Sequence, residues 1–160
     1  EDWRGAYIAP YFGQAKDVAW AYLKKFASVV PGVQFSEVEL RADFPNGSRI
    51  RLYGADNADV RLRGIYLDDV VLDEYADFAP QIWGEVIRPL LADRQGRAVF
   101  IGTPKGHNSF YRIFNDADGK PDWNDFEHAH VVAVDEKRGV LKVRRGILGE
   151  NAARLLGLLT

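Results

Sequence analysis

The sequence predicts an α/β fold: a mostly parallel sheet with helices on both faces, plus a β-hairpin. Short apolar runs typical of buried strands alternate with longer segments of helical periodicity, which is the order expected for a parallel sheet. One segment instead alternates apolar and charged residues around a Pro-Asn-Gly turn, which indicates a hairpin. The 160 residues are 47% hydrophobic and 28% charged, enough for one domain with a substantial core.

The first strand and helix are indicated by residues 5–26. The apolar run Gly5–Ala9 stops at Pro10 and predicts a buried strand. After Gly13, apolar residues recur at helical spacing, which predicts an amphipathic helix that ends at Pro31-Gly32. The apolar stripe expected to face the core consists of Ala15, Val18, Ala19, Tyr22, Leu23 and Phe26.

The hairpin has two possible turns. Before the turn the apolar residues are Val38, Leu40, Ala42 and Phe44, and after it Ile50 and Leu52. A two-residue Asn46-Gly47 loop would set Ile50 opposite Asp43. A three-residue loop over residues 45–47 instead pairs Ala42 with Ile50 and Asp43 with Arg49, with Gly47 at the left-handed bulge. We therefore expect the three-residue loop.

The remaining elements follow the same pattern. Residues 54–64 predict a polar loop with a short helical turn, and residues 108–114 a short helix. Residues 70–72, 97–102 and 128–134 predict strands. Residues 80–91 predict a helix that begins at Pro80 and bends or ends near Pro89, and residues 151–159 another short helix.

Composition excludes several classes of protein. The net charge of −2 excludes a basic coat over the whole surface. The absence of cysteine excludes a disulfide scaffold and a thiolate metal site. No apolar run approaches the roughly 20 residues that span a bilayer, so we expect no membrane contact. The chain begins at Glu1 and contains no methionine, so we expect a piece of a longer protein, truncated at its N-terminus.

Residues suited to phosphoryl chemistry follow two of the predicted strands. Asp73 and Glu74 end an apolar run, where one acid could hold Mg²⁺ and the other polarise a water. Both acids can serve one site only if the backbone turns there, since neighbouring side chains on a strand point to opposite faces. Thr103 places a hydroxyl after the next strand. Acids after strands and Gly-Thr-Pro turns are also common without any chemistry, so both interpretations stay open at this point.

Two arginines in the 54–64 loop, Arg61 and Arg63, precede the acidic strand. Arginine can stabilise charge on a transferring phosphoryl group, from the same chain or from a neighbouring subunit. The residues alone favour the simpler interpretation, in which these arginines are solvated or paired with Asp56 and Asp59.

The order of these motifs resembles the ATPase domain of phage terminase large subunits, the motor proteins that package viral DNA. The resemblance covers residues 5–115. It rests on YIAPYFGQAKDVAW, GADNADVRLRG, VVLDEYADF and FIGTPKG followed by Phe-Tyr. It implies a P-loop NTPase-like fold.

The resemblance also implies roles for particular residues. Asp73 resembles the metal-coordinating acid of a Walker B strand, and Glu74 the base that activates water. Thr103 resembles the coupling residue that links hydrolysis to movement. Arg63 resembles an arginine supplied to a neighbouring subunit's nucleotide, with Arg61 as the competing candidate. ATP and Mg²⁺ are the implied cofactors.

The implied partners are double-stranded DNA, a small terminase subunit and a portal, in the host cytoplasm, with a possible homo-oligomer. The sequence departs from the family in two respects. It contains no Gly-x-x-x-x-Gly-Lys-Ser/Thr loop, so we expect this chain alone not to bind ATP tightly. Its end does not resemble the nuclease passage, which predicts a partial ATPase domain over 1–127 and a divergent tail over 128–160.

Two alternative functions remain open at this stage. The first is a fragment of another P-loop motor, such as a helicase or a packaging-like ATPase of cellular origin. The second is a catalytically inactive remnant that serves as an interaction module. An acid-rich nuclease region encoded downstream would favour the terminase interpretation, and self-association without a nucleotide effect would favour the interaction module.

Overall fold

The computed structural model describes residues 2–62, 64–103, 105–116, 129–135 and 139–145. Its strands are β1 (Arg4–Ala9), β2 (Gln34–Ser36), β3 (Arg41–Asp43), β4 (Arg49–Gly54), β5 (Asp69–Leu72), β6 (Arg97–Gly102), β7 (Ala129–Asp135) and β8 (Gly139–Arg145). The α-helical segments are α1 (Phe12–Ala15), α2 (Ala21–Ala27), α3 (Ala58–Arg61), α4 (Arg88–Ala92) and α5 (Ser109–Asp116). Among the described helices, none has the length and apolar character that a bilayer-crossing segment requires.

The described strands form one sheet in the order β2-β3-β4-β1-β5-β6-β7-β8. The central strands β4, β1, β5, β6 and β7 run parallel, and the pairs β2–β3, β3–β4 and β7–β8 are antiparallel. The predicted fold class, a mostly parallel sheet with a hairpin, is confirmed. β7 pairs with β6 although it lies in the predicted tail, and the domain boundary after residue 127 stays a prediction. The helix predicted over 151–159 lies outside the described residues.

The larger core cluster lies on one face of the sheet. Alternate residues of the central strands point to this face because successive side chains on a strand point to opposite sides. The helical residues that cover them come from the segments that follow β4, β5 and β6. The most buried members are Ile8, Leu62, Leu72, Ile87, Leu91, Phe100 and Phe110.

The second face is covered by the first helical segment, which is continuous over residues 12–27. It runs from α1 through a π-helical turn (Lys16–Trp20) into α2. Its buried residues are Ala15, Trp20 and Ala27, and the first two pack with Leu40 and Leu52 of the hairpin region. The Trp20 indole N–H also donates to Glu37 Oε2 at 2.6 Å.

The predicted apolar stripe of this helix is wrong for half of its members. Val18, Tyr22 and Phe26 are 46%, 62% and 67% exposed. A π-helical turn closes over five residues rather than four, so it rotates the buried face away from the stripe expected for a regular α-helix. The residue that enters the core instead is Trp20.

The hairpin has the predicted three-residue loop and register. Ala42 pairs with Ile50 and Asp43 with Arg49, whose guanidinium Nε lies 2.5 Å from Asp43 Oδ1. Gly47 has φ +85°, the left-handed conformation that the bulge requires. The predicted strand begins too early, because residues 37–40 form a turn that leaves Val38 86% exposed.

The predicted helix over 80–91 is helical over 82–92. A π-helical segment (Ile82–Ile87) changes to α-helix at Arg88, beside Pro89. A proline in a helix lacks the N–H that would bond to the preceding turn, which accounts for the change of helix type there.

The 54–64 loop contains the predicted helical turn, as a 3-10 turn (Ala55–Asn57) followed by α3.

Candidate functional site

The predicted site residues follow neighbouring parallel strands and lie at one edge of the sheet. Asp73 and Glu74 follow β5, and Thr103 follows its neighbour β6. Strands β4 and β1 end at the same edge, because all four run parallel. In sheets of this kind, ligands bind outside the carboxyl ends of the strands.

Asp73 is held by contacts from two directions. Its backbone N–H donates to the carbonyl oxygen of Ile8 at 2.9 Å, which extends the pairing of β1 with β5 by one residue. The Tyr7 hydroxyl on β1 donates to Asp73 Oδ2. Asp73 Oδ1 accepts a hydrogen bond from the Glu74 backbone N–H at 3.0 Å. Each carboxylate oxygen of Asp73 therefore has a donor from a different residue.

Burial raises the pKa of the Tyr7 hydroxyl, and its hydrogen bond to Asp73 and the charges of Asp73 and Glu74 raise that pKa further. The direction follows because all of these influences disfavour the tyrosinate anion. At neutral pH the Tyr7 hydroxyl is therefore protonated and can act as a donor to the carboxylate.

Glu74 is the residue at which the chain turns. It has φ +51° and ψ +41°, the left-handed conformation that costs a non-glycine residue about 1–2 kcal/mol. Its carbonyl oxygen accepts a hydrogen bond from the Asp77 N–H at 2.9 Å, which closes a 3-10 turn (Tyr75–Asp77). The strand alternation that would separate the side chains of Asp73 and Glu74 thus ends here. Strained residues of this kind cluster at functional sites.

Tyr75 anchors this turn in the core. Its side chain is 1% exposed, and its ring lies 4.9 Å from the ring of Phe100, 5.3 Å from Phe78 and 6.2 Å from Phe110, between centroids. Burial raises the pKa of Tyr75 to about 12. The aromatic contacts fix the backbone immediately after Glu74.

The end of β6 packs directly against the turn at Glu74. A Cβ built on Gly102 would lie 3.2 Å from the Tyr75 backbone nitrogen and 3.5 Å from Glu74 Cα. Thr103 follows Gly102 and is half-buried. The two predicted segments, Asp73-Glu74 and the Gly-Thr-Pro segment, therefore meet in the structure.

A second set of contacts joins the same two segments. Lys105 Nζ lies 2.7 and 2.8 Å from the two carboxylate oxygens of Asp77, and the Asn108 side-chain amide donates to the Ala76 carbonyl at 3.3 Å. The hydrogen bond to Asp77 raises the pKa of Lys105, and the charges of Asp77 and Glu74 raise it further. The loop after Thr103 thus contacts the 3-10 turn, and Gly102 before it packs on Glu74 and Tyr75.

We expect Gly102→Ala to lower the free energy of unfolding by about 1–3 kcal/mol, because the added methyl group forces the Tyr75 backbone to move. Urea unfolding measures the loss, and the Tyr75 amide resonance in NMR should shift. Gly13→Ala is the control, since a Cβ at Gly13 has nothing within 4 Å. An unchanged stability and an unchanged Tyr75 amide would contradict the packing of β6 on this turn.

The structure describes one of the two candidate arginines, Arg61. Arg63 lies outside the described residues. Arg61 is exposed, and its guanidinium carbon lies 5.1 Å from the ring centroid of Phe12, the residue two positions after Pro10 at the end of β1. This contact places Arg61 near the carboxyl edge of the sheet.

The donor set at Asp73 fits a hydrated magnesium ion rather than an all-protein cage. Mg²⁺ usually keeps several waters and binds one or two carboxylates together with substrate phosphates. No group of three or more acidic, histidine or cysteine side chains that could hold a metal occurs among the residues that the structure describes. Asp73 is half-buried, and each of its oxygens can accept a second hydrogen bond or a cation.

An apolar cleft of about 520 Å³ lies elsewhere, at the opposite edge of the sheet, where β1 and β4 begin. It is lined by Trp3, Val30, Pro31, Phe44, Pro45, Asn46, Ser48 and Ile50. None of its lining residues belongs to the candidate site. The chemistry-bearing residues therefore lie at the strand ends and not in this cleft.

Sequence reasoning did not identify Tyr7 and Lys105 as members of the site. The signal for Tyr7 is weak: it is a single hydroxyl within the apolar run of residues 5–9. Its partnership with Asp73 depends on β1 lying beside β5, which the spacing of residues along one chain does not reveal. Lys105 could have been considered, because it lies within the Gly-Thr-Pro-Lys-Gly segment itself.

Comparison with known proteins shows which family this chain belongs to. The family model "Terminase large subunit, T4likevirus-type, N-terminal" matches residues 4–135. The terminase large subunit of Thermus virus P23-45 is 36% identical over 130 residues, covering 69% of this chain and 27% of that protein. That of Thermus phage G20c is 33% identical, with the same coverage. This chain thus spans about a quarter of the length of these relatives.

Solved structures agree with the family match. The large terminase ATPase domain of Thermus phage P74-26 superposes with a TM-score of 0.61 at 34% identity, covering 74% of this chain and 54% of that one. The large terminase of another thermophilic bacteriophage has a TM-score of 0.60 at 14% identity, covering 83% and 33% of the two chains, and so shows the shared fold alone. With the family model spanning most of its length, this chain belongs to the terminase large subunit family.

Proposed function

We propose that this chain provides part of the nucleotide-hydrolysing site of a phage DNA-packaging motor. The observation that carries the proposal is the contact between Gly102 and the backbone of Glu74 and Tyr75. It joins the segment that contains Thr103 to the strained residue that follows Asp73. A change at Glu74 during hydrolysis could therefore move the β6 end directly.

Each residue has a proposed role. The Asp73 carboxylate would hold the cation at the strand end. A bound Mg²⁺ supplies charge neutralisation at phosphate oxygens. The Glu74 carboxylate would orient a water and accept its proton at a carboxylate oxygen. Thr103 would change position when the nucleotide is hydrolysed, and this movement would shift the loop that contains Lys105.

An arginine would complete the site from a neighbouring copy. Arg63, with Arg61 as the alternative, would stabilise negative charge on the phosphates of the adjacent subunit's nucleotide. This role requires a homo-oligomer. The parent reaction would couple ATP hydrolysis to translocation of double-stranded DNA into procapsids, with a small terminase subunit and a portal as partners, in the host cytoplasm.

We expect the 160-residue chain alone to show no tight ATP binding and no sustained hydrolysis. The sequence has no Gly-x-x-x-x-Gly-Lys-Ser/Thr loop, and that loop supplies the backbone N–H groups and the lysine that bind phosphates. Calorimetric titration with MgATP and a phosphate-release assay measure both. Robust turnover that Glu74→Gln abolishes would contradict this expectation and would establish Glu74 as catalytic in the chain itself.

The proposed metal site has a test that requires no turnover. Paramagnetic Mn²⁺, added to isotope-labelled chain, should broaden the amide resonances of Asp73 and Glu74 before those of other acidic residues. Asp73→Asn should remove this effect. Asp77→Asn is the matched control, because it is a neighbouring acid whose carboxylate is paired with Lys105. Equal broadening in the wild-type and Asp73→Asn chains would contradict the metal role of Asp73.

One alternative function has a specific observation in its favour. Four apolar residues on and just after the first helical segment are exposed: Val18, Tyr22, Phe26 and Val29. The rings of Tyr22 and Phe26 stack on each other, and exposed apolar residues of this kind would suit an inactive remnant that serves as an interaction module. Concentration-dependent self-association in sedimentation equilibrium, unaffected by nucleotide, would favour this alternative. The alternative of a cellular helicase is not retained, because the chain belongs to the terminase family.

A further inference from the structure

The contact between Tyr7 and Asp73 links two strands that are neighbours in the sheet but distant in the sequence. Tyr7 pairs with Val71 in the parallel register of β1 and β5. Asp73 lies two residues beyond Val71, so its side chain lies on the same face of the sheet as that of Tyr7. The Tyr7 hydroxyl reaches diagonally across the strand pair and donates to Asp73 Oδ2.

The two carboxylate oxygens of Asp73 have different donors. Oδ2 accepts from the Tyr7 side chain, and Oδ1 accepts from the Glu74 backbone N–H. The terminal torsion of an aspartate is broad when nothing restrains it. Donors on both oxygens restrain that torsion, because rotation of the carboxylate would break one bond or the other.

We propose that Tyr7 is a positioning residue that orients the Asp73 carboxylate for a hydrated divalent cation. This inference rests on the proposed function of Asp73. Each oxygen can accept more than one hydrogen bond, so the Tyr7 bond leaves an acceptor position for a cation or its water. Removing the partner of a metal-binding carboxylate typically lowers metal affinity about 10–100-fold.

The rest of β1 supports a specific role for this hydroxyl. The strand otherwise presents small or apolar residues at positions 5–9, and Ile8 and Ala9 are fully buried. A phenylalanine at position 7 would fill the same space. The hydroxyl of Tyr7 thus adds a hydrogen bond to Asp73 that packing of the ring does not require.

The chain contains a matched control for this contact. The Tyr66 hydroxyl donates to Asp2 Oδ2 at 2.6 Å, and Tyr66 lies just before β5, at the opposite edge of the sheet. Tyr66→Phe therefore removes the same kind of hydrogen bond, between a tyrosine and an aspartate, away from the candidate site.

The test compares wild type, Tyr7→Phe, Tyr66→Phe and Asp73→Asn in the Mn²⁺ titration. The measured quantity is the Mn²⁺ concentration at which the Asp73 and Glu74 amide resonances are half-broadened. We expect Tyr7→Phe to raise this concentration by about 10–100-fold and Tyr66→Phe to leave it unchanged. Urea unfolding checks that both variants are folded. A second readout needs no variant: the Tyr7 hydroxyl proton should exchange with solvent more slowly than that of Tyr22, which is 62% exposed.

The possible results separate the two proposals. Equal Mn²⁺ midpoints in wild type and Tyr7→Phe overturn the role of Tyr7 and leave that of Asp73 intact. Equal losses in Tyr7→Phe and Tyr66→Phe also overturn it, because the effect is then not specific to the site. If the wild-type chain shows no selective broadening of the Asp73 and Glu74 amides, or if the broadening persists in Asp73→Asn, both proposals are overturned. A Tyr7 hydroxyl proton that exchanges as fast as that of Tyr22 overturns the role of Tyr7 even if the variant does not fold.

Discussion

Phe100→Ala should lower the free energy of unfolding by about 3–5 kcal/mol, whereas Phe26→Ala should change it by no more than about 0.5 kcal/mol. Phe100 is fully buried in β6, and its ring lies 4.7 Å from the ring of Trp83 and 4.9 Å from that of Tyr75, between centroids. Phe26 is 67% exposed, and its ring stacks on that of Tyr22. The same chemical change therefore leaves a cavity at one site and a solvated surface at the other.

Urea unfolding followed by circular dichroism measures both variants. A loss of about 3–5 kcal/mol is a large share of the roughly 5–15 kcal/mol that stabilises a typical domain, so Phe100→Ala could be partly unfolded at 37 °C. The pair also distinguishes the structure from the sequence-based expectation, which placed Phe26 in the core. Equal losses in the two variants would show that the first helical segment buries its predicted stripe after all.

The Phe100 substitution should also loosen the candidate site. The ring of Phe100 packs on Tyr75, the residue that follows the left-handed turn at Glu74. Removing the ring leaves that turn with fewer restraints, and its strained conformation persists only if its surroundings hold it. Amide hydrogen exchange at residues 75–77 should therefore increase in Phe100→Ala, provided that the comparison is made where the variant remains folded.

Features set by local sequence could be predicted well. The hairpin register follows from alternation and from one turn, because the pairing of Asp43 with Arg49 excludes the two-residue loop. The strands of residues 4–9, 69–72 and 97–102 have apolar runs bounded by Gly, Pro or acidic residues. In each case the residues that determine the element lie within a few positions of one another, so the local residue pattern is sufficient to predict it.

The helix face could not be predicted, because one turn departs from α-helical geometry. The expected stripe assumes a uniform period of about 3.6 residues, and the π-helical turn over Lys16–Trp20 breaks that period. Trp20 enters the core through contacts with distant residues: its indole donates to Glu37 and its ring meets Phe35 at a centroid distance of 6.1 Å. These tertiary contacts override the local pattern.

The placement of the candidate site residues in the fold could be predicted in part. Asp73, Glu74 and Thr103 follow strand ends as expected, and their roles stay predictions that rest on the resemblance to terminases. The strand alternation alone indicates that the two acids need a backbone turn to share a site, and the left-handed Glu74 provides that turn. The contact of Tyr7 with Asp73 joins residues 66 positions apart, so it depends on the order of strands in the sheet. Sequence periodicity contains no information on that order.

Gly54→Ala should lower the free energy of unfolding by about 3 kcal/mol, at the upper end of the range for overpacking. A Cβ at Gly54 would lie 2.9 Å from Phe12 Cα, with the Phe12 backbone nitrogen and Asp56 Oδ1 closer still. The Phe12 backbone is held at the start of α1 and cannot move aside easily. The backbone of Gly54 is extended, so the cost arises from lack of space and not from backbone strain.

Gly84→Ala is the control for this substitution, and its effect should have the opposite sign. A Cβ at Gly84 meets nothing within 4 Å, and the residue lies inside the helical segment 82–87. Alanine is favoured over glycine in helices by about 0.5–1 kcal/mol, so Gly84→Ala should stabilise the chain by up to that amount. Urea midpoints measure both changes.

If Gly54→Ala were as stable as wild type, β4 and the turn after β1 could not approach as closely as described. The Asp56 N–H, two residues after Gly54, donates to the carbonyl of Pro10 at 3.1 Å, so the segment after β4 is bonded to the residue that follows β1. With a looser approach of these segments, the carboxyl edge that holds Asp73 would be assembled more loosely than the proposed cation site requires.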